Sequence, residues 1–429
     1  MVKTKQDISL PRGVSDYLAV AADRICAMEA AIRQVAELWG FRRIITPNLE
    51  YDDVISIGVG EDLKNNTYRF EDRQSGRLLT FPPDITPQIA RIVATRLHDR
   101  PMPQRICYSG RVLRQTEIQA GRSREIFQTG VELIGLDSPE ADAEMVAMVV
   151  ESLQRLGFNS FRIDLGQVEY CRGVMAASGL DGAALQKLQQ AVTRKDASAV
   201  AALLDEHGVG GSSRQEIMAL PRLFGGREIL DEADRITTNP RSRAALQNLR
   251  DVLEILDIHG VSNNLTFDLG ETRGLYYHTG ITFEAFVSGI GEPVCSGGRY
   301  DGLTGRYGFD ATATGFTFNV LTLLQAQEHG QNEQPVSMRD FLIFNSCSDR
   351  RAALEAARLL RERGYKTARD IICRNYEDSL EYARRMRFRC MLVIAEDGYR
   401  AVRTSDGKVI ELQQDDLNRA DLMGYLELQ

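Results

Sequence analysis

The segment Gly270–Leu324 constrains the fold of this chain more than any other part of the sequence. It contains three motif-like stretches, which read GETRGLYYHTGITFEAF, CSGGRYDGL and ATGFTFNVLTLL. Strand signals resume at Leu265 after a long helical region, and the glycines of GGRYDG allow tight turns and close packing of neighbouring backbones.

Composition sets the broad class of protein. A chain of 429 residues with 43% hydrophobic content is long enough for about two or three domains with cores of their own. The net charge of −8 gives no reason to expect a nucleic-acid partner. No apolar run approaches a membrane span of about 18–20 residues, and the N-terminal MVKTKQDISLPRG lacks the apolar core of a signal peptide. The seven cysteines and five histidines are scattered, which predicts reduced thiols, no metal site and a cytoplasmic location.

The first predicted helix, Asp23–Trp39, carries an apolar stripe and is followed by Gly40, where a C-terminal cap belongs. The stripe consists of Ile25, Met28, Ile32, Val35 and Trp39. The next residues, FRRIITP, predict a short strand that Pro47 ends. Because an exposed stripe of this kind is an aggregation liability, we expect the helix and the strand to form a homodimer interface.

The middle of the chain combines strands with helices. The segment Arg105–Gly135 predicts antiparallel strands around the polar turn EIQAGRSRE. Ser138-Pro139-Glu140 predicts the start of a helix, because it supplies a cap, an N-terminal proline and an acid at the positive end of the helix. This helix is predicted to end at Leu156. The strand FRIDLG follows, and residues 179–258 are predicted to form a helical insertion.

The C-terminal part is predicted to be a separate α/β domain. Residues 325–336 (QAQEHGQNEQPV) are polar and lack apolar periodicity, which indicates a linker. After it the strand DFLIF, a helix over 349–364, the strand YKTARDI, a helix over 378–386 and the strand CMLVIAE alternate. This alternation is typical of a small sheet with helices packed on it.

Five elements occur in the order and approximate spacing of the histidyl-tRNA synthetases, a class II synthetase family that this chain resembles. They are FPPDIT, VLRQTE, FQTGVE, RGLYYH and GGRYDGL. The resemblance implies an α+β fold, with a class II antiparallel sheet and flanking helices over residues 1–324. It also implies that residues 337–429 correspond to the small anticodon-binding domain of that family.

The resemblance also implies a pocket for free histidine. Such a ligand needs an arginine for its carboxylate, oxygen acceptors for its ammonium group and a partner for its imidazole. By position in the motifs, Asp84 and Thr86 match residues that hold the amino group, and Arg273 matches the carboxylate partner. The full predicted set is Asp84, Thr86, Arg114, Gln128, Glu132, Arg273, Tyr277 and His278.

The part of the motifs that handles ATP is altered. The second class signature, normally Arg-x-Glu-Arg, reads Arg114-Gln115-Thr116-Glu117, and Thr322 stands where the third signature has an arginine. Adenylation must neutralise a triphosphate of roughly −4 charge, and a reversed charge opposes phosphate binding. We therefore expect no catalytic residues, no cofactor and no metal.

A retained pocket with lost catalysis resembles one relative of the synthetases, the regulatory subunits of ATP phosphoribosyltransferase. The stretches QAGRSREIFQTGVELIG and FPPDITPQIAR carry this resemblance. It implies a short-form catalytic subunit as partner, histidine as effector, and no role for tRNA or a membrane.

Other interpretations remain open at the level of sequence. Asp-x-Thr before a helix is commonly a cap, Glu132 is compatible with a solvent-facing strand position, and Arg273 with a turn. One alternative function is a histidyl-tRNA synthetase with aberrant ATP-site motifs, and another is an RNA-binding regulator. Four arginines of the C-terminal domain are the available RNA contacts: Arg384, Arg385, Arg387 and Arg389.

Overall fold

The chain divides into two compact units, Met1–Asn332 and Glu333–Gln429. The computed structural model describes residues 8–115, 123–271, 277–329, 339–372 and 374–428. Within these ranges, no helix is both long and apolar enough to cross a membrane. The six cysteines in these ranges are free thiols, and four of them are buried.

The first unit is built from helices and strands in alternation. Its α-helices are α1 (Ala19–Leu38), α2 (Asp52–Ile55), α3 (Glu61–Asn65), α4 (Thr86–Ile92), α5 (Pro139–Arg155), α6 (Val168–Ala176), α7 (Gly182–Thr193), α8 (Ala197–Glu206), α9 (Gly211–Ala219), α10 (Glu228–Ile236), α11 (Pro240–Ile258) and α12 (Val320–His329). Its strands are β1 (Arg42–Arg43), β2 (Glu50–Tyr51), β3 (Arg69–Glu71), β4 (Leu78–Thr80), β5 (Gln104–Leu113), β6 (Glu125–Ile134), β7 (Phe161–Gln167), β8 (Phe224–Gly225), β9 (Leu265–Asp268), β10 (Ile281–Val287), β11 (Cys295–Arg299) and β12 (Ala313–Asn319).

A nine-stranded sheet forms the centre of the first unit, with the strand order β1-β5-β6-β12-β11-β10-β7-β9-β8. Most neighbouring strands are antiparallel, whereas β1 pairs with β5 and β7 pairs with β9 in parallel. Strands β2, β4 and β3 form a separate small sheet. The predicted antiparallel class II architecture with flanking helices is confirmed.

The two faces of the large sheet have different roles. Val131 and Leu133 of β6 belong to the large core that also contains α1, α5 and α12. Because successive side chains of a strand point to opposite faces, Glu132 and Ile134 face the other side. There Ile134 packs in a second cluster with the start of α4. The pocket residues therefore lie on the face that the long helices leave uncovered.

The apolar stripe of the first helix is buried within its own chain. Ile25, Met28, Ile32 and Val35 are all buried in the large core, and Trp39 Nε1–H donates to Glu151 Oε2 of α5 at 2.7 Å. The expectation that this stripe is exposed and drives dimer formation is therefore wrong. The following strand is also shorter than predicted, since β1 contains only Arg42–Arg43.

The other predicted elements of the first unit are present. Helix α5 begins where its sequence signals indicate, with the Ser138 side chain accepting from the backbone N–H of Ala141. Strands β5 and β6 form the antiparallel pair, and residues 116–122 of their predicted turn lie outside the described residues. Helices α7 to α11 occupy the predicted helical insertion, interrupted by the two-residue strand β8.

The start of the predicted linker is helical. Helix α12 continues to His329, with Ala326 and Gln327 buried, so residues 325–329 are part of the first unit rather than a linker. Gln327 donates from Nε2 to the Leu156 carbonyl at 3.3 Å, which explains how a polar residue is accommodated in this helix. Residues 330–338 lie outside the described residues.

The second unit is a small α/β domain, as predicted. Its strands are β13 (Arg339–Asn345), β14 (Thr367–Arg369), β15 (Phe388–Ala395), β16 (Gly398–Arg403) and β17 (Val409–Leu412), and its helices are α13 (Arg351–Glu362), α14 (Tyr376–Arg385) and α15 (Leu422–Leu428). The sheet order is β14-β13-β15-β16-β17. Two apolar clusters, one containing residues of α13 and α15 and the other containing residues of α14, cover the sheet.

The burial of the α1 stripe predicts a large stability effect for one of its members. Ile32 is 1% exposed, so Ile32→Ala should lower the free energy of unfolding by about 2–5 kcal/mol through lost burial and a residual cavity. Ile258 is 82% exposed, so the matched change Ile258→Ala should alter it by less than about 0.5 kcal/mol. Urea unfolding of both variants tests this, and equal effects would contradict the packing described for α1.

Candidate functional site

A cavity of about 900 Å³ lies in the first unit, against the uncovered face of the large sheet. Its described lining from the sheet and the adjoining turns consists of Glu132, Tyr277, His278, Ser296, Gly297, Gly298, Tyr300, Arg306, Gly315, Phe316 and Thr317. The remaining lining residues are Ile57, Gly58, Val59, Gly60, Leu63, Lys64, Asp84, Thr86, Pro87 and Gln186. A cavity of this size is typical of small-molecule sites.

Glu132 lies at the floor of this cavity and is 1% exposed. Its Oε1 accepts from Thr86 Oγ1 at 2.8 Å and from the Tyr108 hydroxyl at 3.1 Å. Its Oε2 accepts from the Tyr300 hydroxyl. Strand β6 therefore positions a carboxyl group that three hydroxyls, from α4, β5 and the end of β11, hold in place.

Burial makes ionisation of this carboxyl unfavourable. It raises the pKa of Glu132 to about 8, although the hydrogen bonds from Tyr300 and Thr86 act in the opposite direction. The nearby Asp84 carboxylate raises the same pKa further. At neutral pH Glu132 is therefore mostly protonated, and a cation placed beside it would favour its ionised form.

Asp84 and Thr86 lie at the beginning of α4 and both line the cavity. The backbone N–H of Thr86 donates to Asp84 Oδ1 at 3.3 Å, but the N-cap of α4 is Ile85 and no side chain caps the helix, so Asp84 is a cavity residue rather than the cap. Arg114 does not line the cavity. Its Nε–H donates to the Pro83 carbonyl at 2.8 Å, and its Nη2 lies 3.7 Å from Asp84 Oδ2, so it supports the loop that carries Asp84.

Gln128 belongs to the predicted histidine-binding set but is not among the residues that line the cavity. It is 3% exposed, and its side-chain oxygen accepts from the backbone N–H of Ile85 at 3.1 Å. Gln128 shares the sheet face of Glu132 but lies four residues earlier on β6, where it meets the backbone before α4. Its contact fixes the start of α4 relative to the sheet.

Tyr277 and His278 form one wall of the cavity. The Tyr277 ring stacks on Tyr300 with centroids 5.5 Å apart, and the His278 ring meets Tyr277 edge-on at 5.0 Å. Burial lowers the pKa of His278 to about 4, so its imidazole is neutral at physiological pH. These two residues are brought to the predicted site.

Arg273, the predicted carboxylate partner, lies in residues 272–276, outside the described part of the chain. Two cationic side chains that the motifs did not indicate, Lys64 and Arg306, line the cavity. Arg306 is exposed and forms no ion pair with any described residue. The cavity thus combines the carboxyl groups of Asp84 and Glu132 with the cationic side chains of Lys64 and Arg306.

Two neighbouring residues of the GGRYDGL motif have different roles, because one supports the fold and the other belongs to the cavity. Arg299 is almost fully buried, and its Nε–H donates to Asp142 Oδ2 of α5 at 3.0 Å, so it ties the sheet to a helix. Tyr300 provides the hydroxyl that holds Glu132. The motif was identified from sequence, but the role of Tyr300 was not. The available signal was a tyrosine in a buried, glycine-rich stretch, because a buried phenol needs a hydrogen-bond partner.

The third-signature position is enclosed by protein. Thr322 is 5% exposed within α12, and the Asn319 side-chain oxygen accepts from the N–H groups of Leu321 and Thr322 at 3.2 and 3.4 Å. The N-terminus of α12 is therefore capped by its own chain. Thr116 and Glu117 lie outside the described residues. In the described ranges, no group of three or more His, Cys, Asp and Glu side chains is arranged to hold a metal ion.

The raised pKa of Glu132 predicts a pH-dependent stability. Between its unfolded value of 4.5 and its folded value of about 8, unfolding releases a proton, so rising pH favours the unfolded state. Relative to Glu132→Gln, the parent should therefore lose up to about 1.4 kcal/mol per pH unit across this window. Urea unfolding of both proteins at several pH values measures the difference. Parallel profiles would contradict the raised pKa.

Comparisons with known proteins agree with this geometry. The family model for histidyl-tRNA synthetase matches residues 13–323. The chain is 63% identical to the ATP phosphoribosyltransferase regulatory subunit of Geobacter sulfurreducens, over 92% of this chain and 90% of that protein. It is 52% identical to the protein of the same name from Syntrophotalea carbinolica, over 96% of this chain and 97% of the relative.

Solved structures show the same architecture. A Bacillus halodurans protein described as an ATP phosphoribosyltransferase regulatory subunit/histidyl-tRNA synthetase superposes with a TM-score of 0.80 at 27% identity, covering 91% of this chain and 99% of that one. The histidyl-tRNA synthetase of a Nostoc species superposes with a TM-score of 0.82 at 20% identity, covering 96% of this chain and 99% of that one. At this low identity, the superposition is evidence of a shared fold only. The chain therefore belongs to the histidyl-tRNA synthetase-like family of ATP phosphoribosyltransferase regulatory subunits.

Proposed function

We propose that this chain is a non-catalytic, cytoplasmic regulatory subunit that binds free histidine and controls a short-form ATP phosphoribosyltransferase in the first step of histidine biosynthesis. One observation carries the proposal. The cavity keeps a complete polar floor around Glu132, whereas Thr322, at the position expected to hold phosphate, is buried in helix packing. The names of the relatives support the same assignment.

Histidine matches the groups that the cavity presents. Its ammonium group would lie near Asp84 and Glu132, and the positive charge would favour the ionised form of Glu132. Its carboxylate would pair with Arg273, as the motifs imply, or with Arg306, which lines the cavity and lacks an ion pair with the described residues. Its imidazole would face the wall formed by Tyr277 and His278.

A site that binds a ligand without converting it acts through linkage. Histidine must favour one state of a complex over another, and such couplings are typically about 1–3 kcal/mol. The natural complex is one with a catalytic subunit that lacks a regulatory domain of its own. We infer that this chain activates that subunit and makes it sensitive to histidine.

A role in binding tRNA has little support in the second unit. Arg389 pairs with Glu427 and lies 3.7 Å from Asp340, and Arg384 Nε donates to the Thr404 carbonyl at 3.3 Å. Arg384 and Arg389 are therefore less available to phosphates, which leaves Arg385 and Arg387 as exposed cations in a chain of net charge −8. We therefore do not favour the alternative of a tRNA ligase.

The proposal predicts the outcome of a mixing experiment. Addition of this chain to a short-form ATP phosphoribosyltransferase should raise its activity, and histidine should then inhibit the mixture but not the catalytic subunit alone. Arg273→Ala should weaken histidine binding by roughly 2–3 kcal/mol, about 30- to 150-fold, because the carboxylate loses its partner. Glu132→Gln should weaken it less.

The controls for this experiment are Arg222→Ala and Glu206→Gln, which remove exposed charges that do not line the cavity. Both should preserve histidine inhibition. If Arg273→Ala has no effect and Arg306→Ala abolishes binding, Arg306 is the carboxylate partner. If Arg273→Ala, Arg306→Ala and Glu132→Gln all bind histidine as the parent does, this cavity is not the sensor.

The chain alone should form no aminoacyl-adenylate. The altered positions Thr116, Glu117 and Thr322 remove two phosphate-binding cations and one glutamate from the class II pattern. Histidine-dependent exchange of pyrophosphate into ATP should equal a no-enzyme blank. A complete histidyl-tRNA synthetase serves as the positive control, and exchange clearly above the blank would refute the loss of synthetase activity.

We propose a homodimer on the basis of the family architecture and of two exposed apolar residues. Leu38 at the end of α1 is 66% exposed and Ile45 after β1 is 76% exposed, so they can form a contact although the α1 stripe cannot. Light scattering at micromolar concentration should give a dimer, and Ile45→Arg should shift it towards monomer. A parent protein that is monomeric under these conditions would refute the proposal.

A further inference from the structure

Helix α7 connects the helical insertion to the opening of the large cavity. Its Gln186 lines that cavity while remaining an exposed residue, so it lies at the opening. Only three of the twelve residues of α7 are buried, whereas eleven of the seventeen residues of α5 are buried. An element with so little buried surface opens locally at a low free-energy cost unless other contacts hold it.

The C-terminal end of α7 is closed by a lysine in an unusual backbone conformation. Lys195 has a φ of +56°, and the other non-glycine residue with a positive φ in the described part of the chain is Arg387. The Lys195 N–H donates to the Val192 carbonyl, and the Asp196 N–H donates to the Ala191 carbonyl, both at 2.9 Å. This is the Schellman arrangement, in which glycine is the usual residue at the left-handed position. A lysine there costs conformational free energy, which contacts of its side chain must offset.

The Lys195 side chain extends from the insertion to the end of β9. Its ammonium group lies 2.6 and 2.7 Å from the two carboxylate oxygens of Asp268. The two side chains are 30% and 24% exposed, so the ion pair is largely shielded from solvent. Asp268 Oδ1 also accepts from the Gly270 N–H at 2.9 Å, which forms the turn after β9. The lysine therefore holds this turn to the end of α7.

Two further contacts join the insertion to the same turn. The Leu269 N–H donates to the Leu223 carbonyl at 3.0 Å. A Cβ atom on Gly270 would lie 2.4 Å from the Leu220 carbonyl oxygen, so this close approach requires glycine. Both contacts come from the stretch between α9 and α10. The ion pair of Lys195 adds a link from the end of α7 itself.

The ion pair also lies close to the ligand side of the sheet. Asp268 lines a second cavity of about 160 Å³. Three residues line both this cavity and the large one: His278, Ser296 and Gly297. The two cavities are therefore adjacent, and α7 is attached near both. Gln186 lines the large cavity, and Lys195 holds a residue that lines the small one.

We propose that Lys195 is a positioning residue that couples the helical insertion to the occupancy of the large cavity. This inference rests on the proposed function, because it takes L-histidine as the ligand of that cavity. A ligand at the opening adds contacts that favour the docked position of α7, and the Lys195–Asp268 pair favours the same position. Since both stabilise one state, each must strengthen the other. Loss of the pair should therefore weaken ligand binding, and the ligand should protect α7 from local opening.

Titration calorimetry and hydrogen exchange of the full-length chain with L-histidine test this inference. Lys195→Gly keeps the left-handed turn and removes the ion pair, and Asp268→Asn removes the pair but keeps an acceptor for the Gly270 N–H. Each variant should bind histidine about 5- to 10-fold more weakly, and the double variant should bind it no more weakly than either, because both changes remove the same contact. Saturating histidine should slow amide exchange over residues 182–193 in the parent, and both variants should lose most of this slowing.

The matched control is Arg387→Gly. Arg387 also has a φ of +56°, and it lies two residues after α14 in the second unit. Its change to glycine relieves the same backbone strain and should leave histidine affinity and the exchange of α7 as they are in the parent. A purely structural role for Lys195 predicts that Lys195→Gly behaves like this control, because glycine suits the left-handed position better.

The outcomes separate this inference from the proposed function. If the parent binds histidine and Lys195→Gly and Asp268→Asn bind it equally well, the inference is overturned while the proposed function stands. If histidine binds to the parent but does not slow the exchange of α7, the coupling is overturned, and this measurement requires no variant to fold. If the parent does not bind histidine, the proposed function fails and the inference fails with it.

Discussion

The buried carboxyl of Glu132 and the three hydroxyls that surround it organise the whole site. They join β6 to α4, β5 and the end of β11, so four separate parts of the chain converge on one side chain. A Cβ atom on Gly315 of the neighbouring strand would collide with Glu132 Oε2, which accounts for the glycine in ATGFTF. Burial of a carboxyl without such partners would cost several kcal/mol. The network therefore fixes both the local fold and the shape of the cavity floor.

The same network explains how a synthetase-like site can serve as a sensor. Binding requires donors and acceptors that are placed in advance, whereas adenylation also requires cations around a triphosphate. The first set is present in the described residues around Glu132. At the position of the third signature, the Asn319 side chain instead caps the N-terminus of α12, and Thr322 is buried. The altered third signature therefore leaves the floor of the pocket intact.

The sequence predicted most of the architecture because local signals were strong. Ser138 and Pro139 marked the start of α5, and the strands predicted for Arg105–Gly135 included Glu132. Tertiary packing decided the features that the sequence missed. The polar residues after Leu324 continue α12 because Gln327 finds a buried carbonyl, and no local pattern contains that partner.

Prediction of the site residues was limited by tertiary packing in the same way. Asp84, Thr86, Glu132, Tyr277 and His278 were predicted and line the cavity, since motif order identified the elements that carry them. Gln128 lies on the same strand as Glu132, and Arg114 follows β5, but their side chains contact the backbone of Ile85 and Pro83 instead. Motif position identifies an element but not the neighbour that each side chain meets. For this reason Tyr300, Lys64 and Arg306 were found only in the structure.

The most direct test of this account is whether histidine binding changes the ionisation of Glu132. L-Histidine should be titrated calorimetrically into the isolated chain at neutral pH, in buffers that differ in ionisation enthalpy. Because burial raises the pKa of Glu132 to about 8 and an ammonium group favours its carboxylate, binding should release a proton from the parent and not from Glu132→Gln. Saturable binding with proton release only in the parent would support the account. Absence of binding, or equal proton release from both proteins, would contradict it.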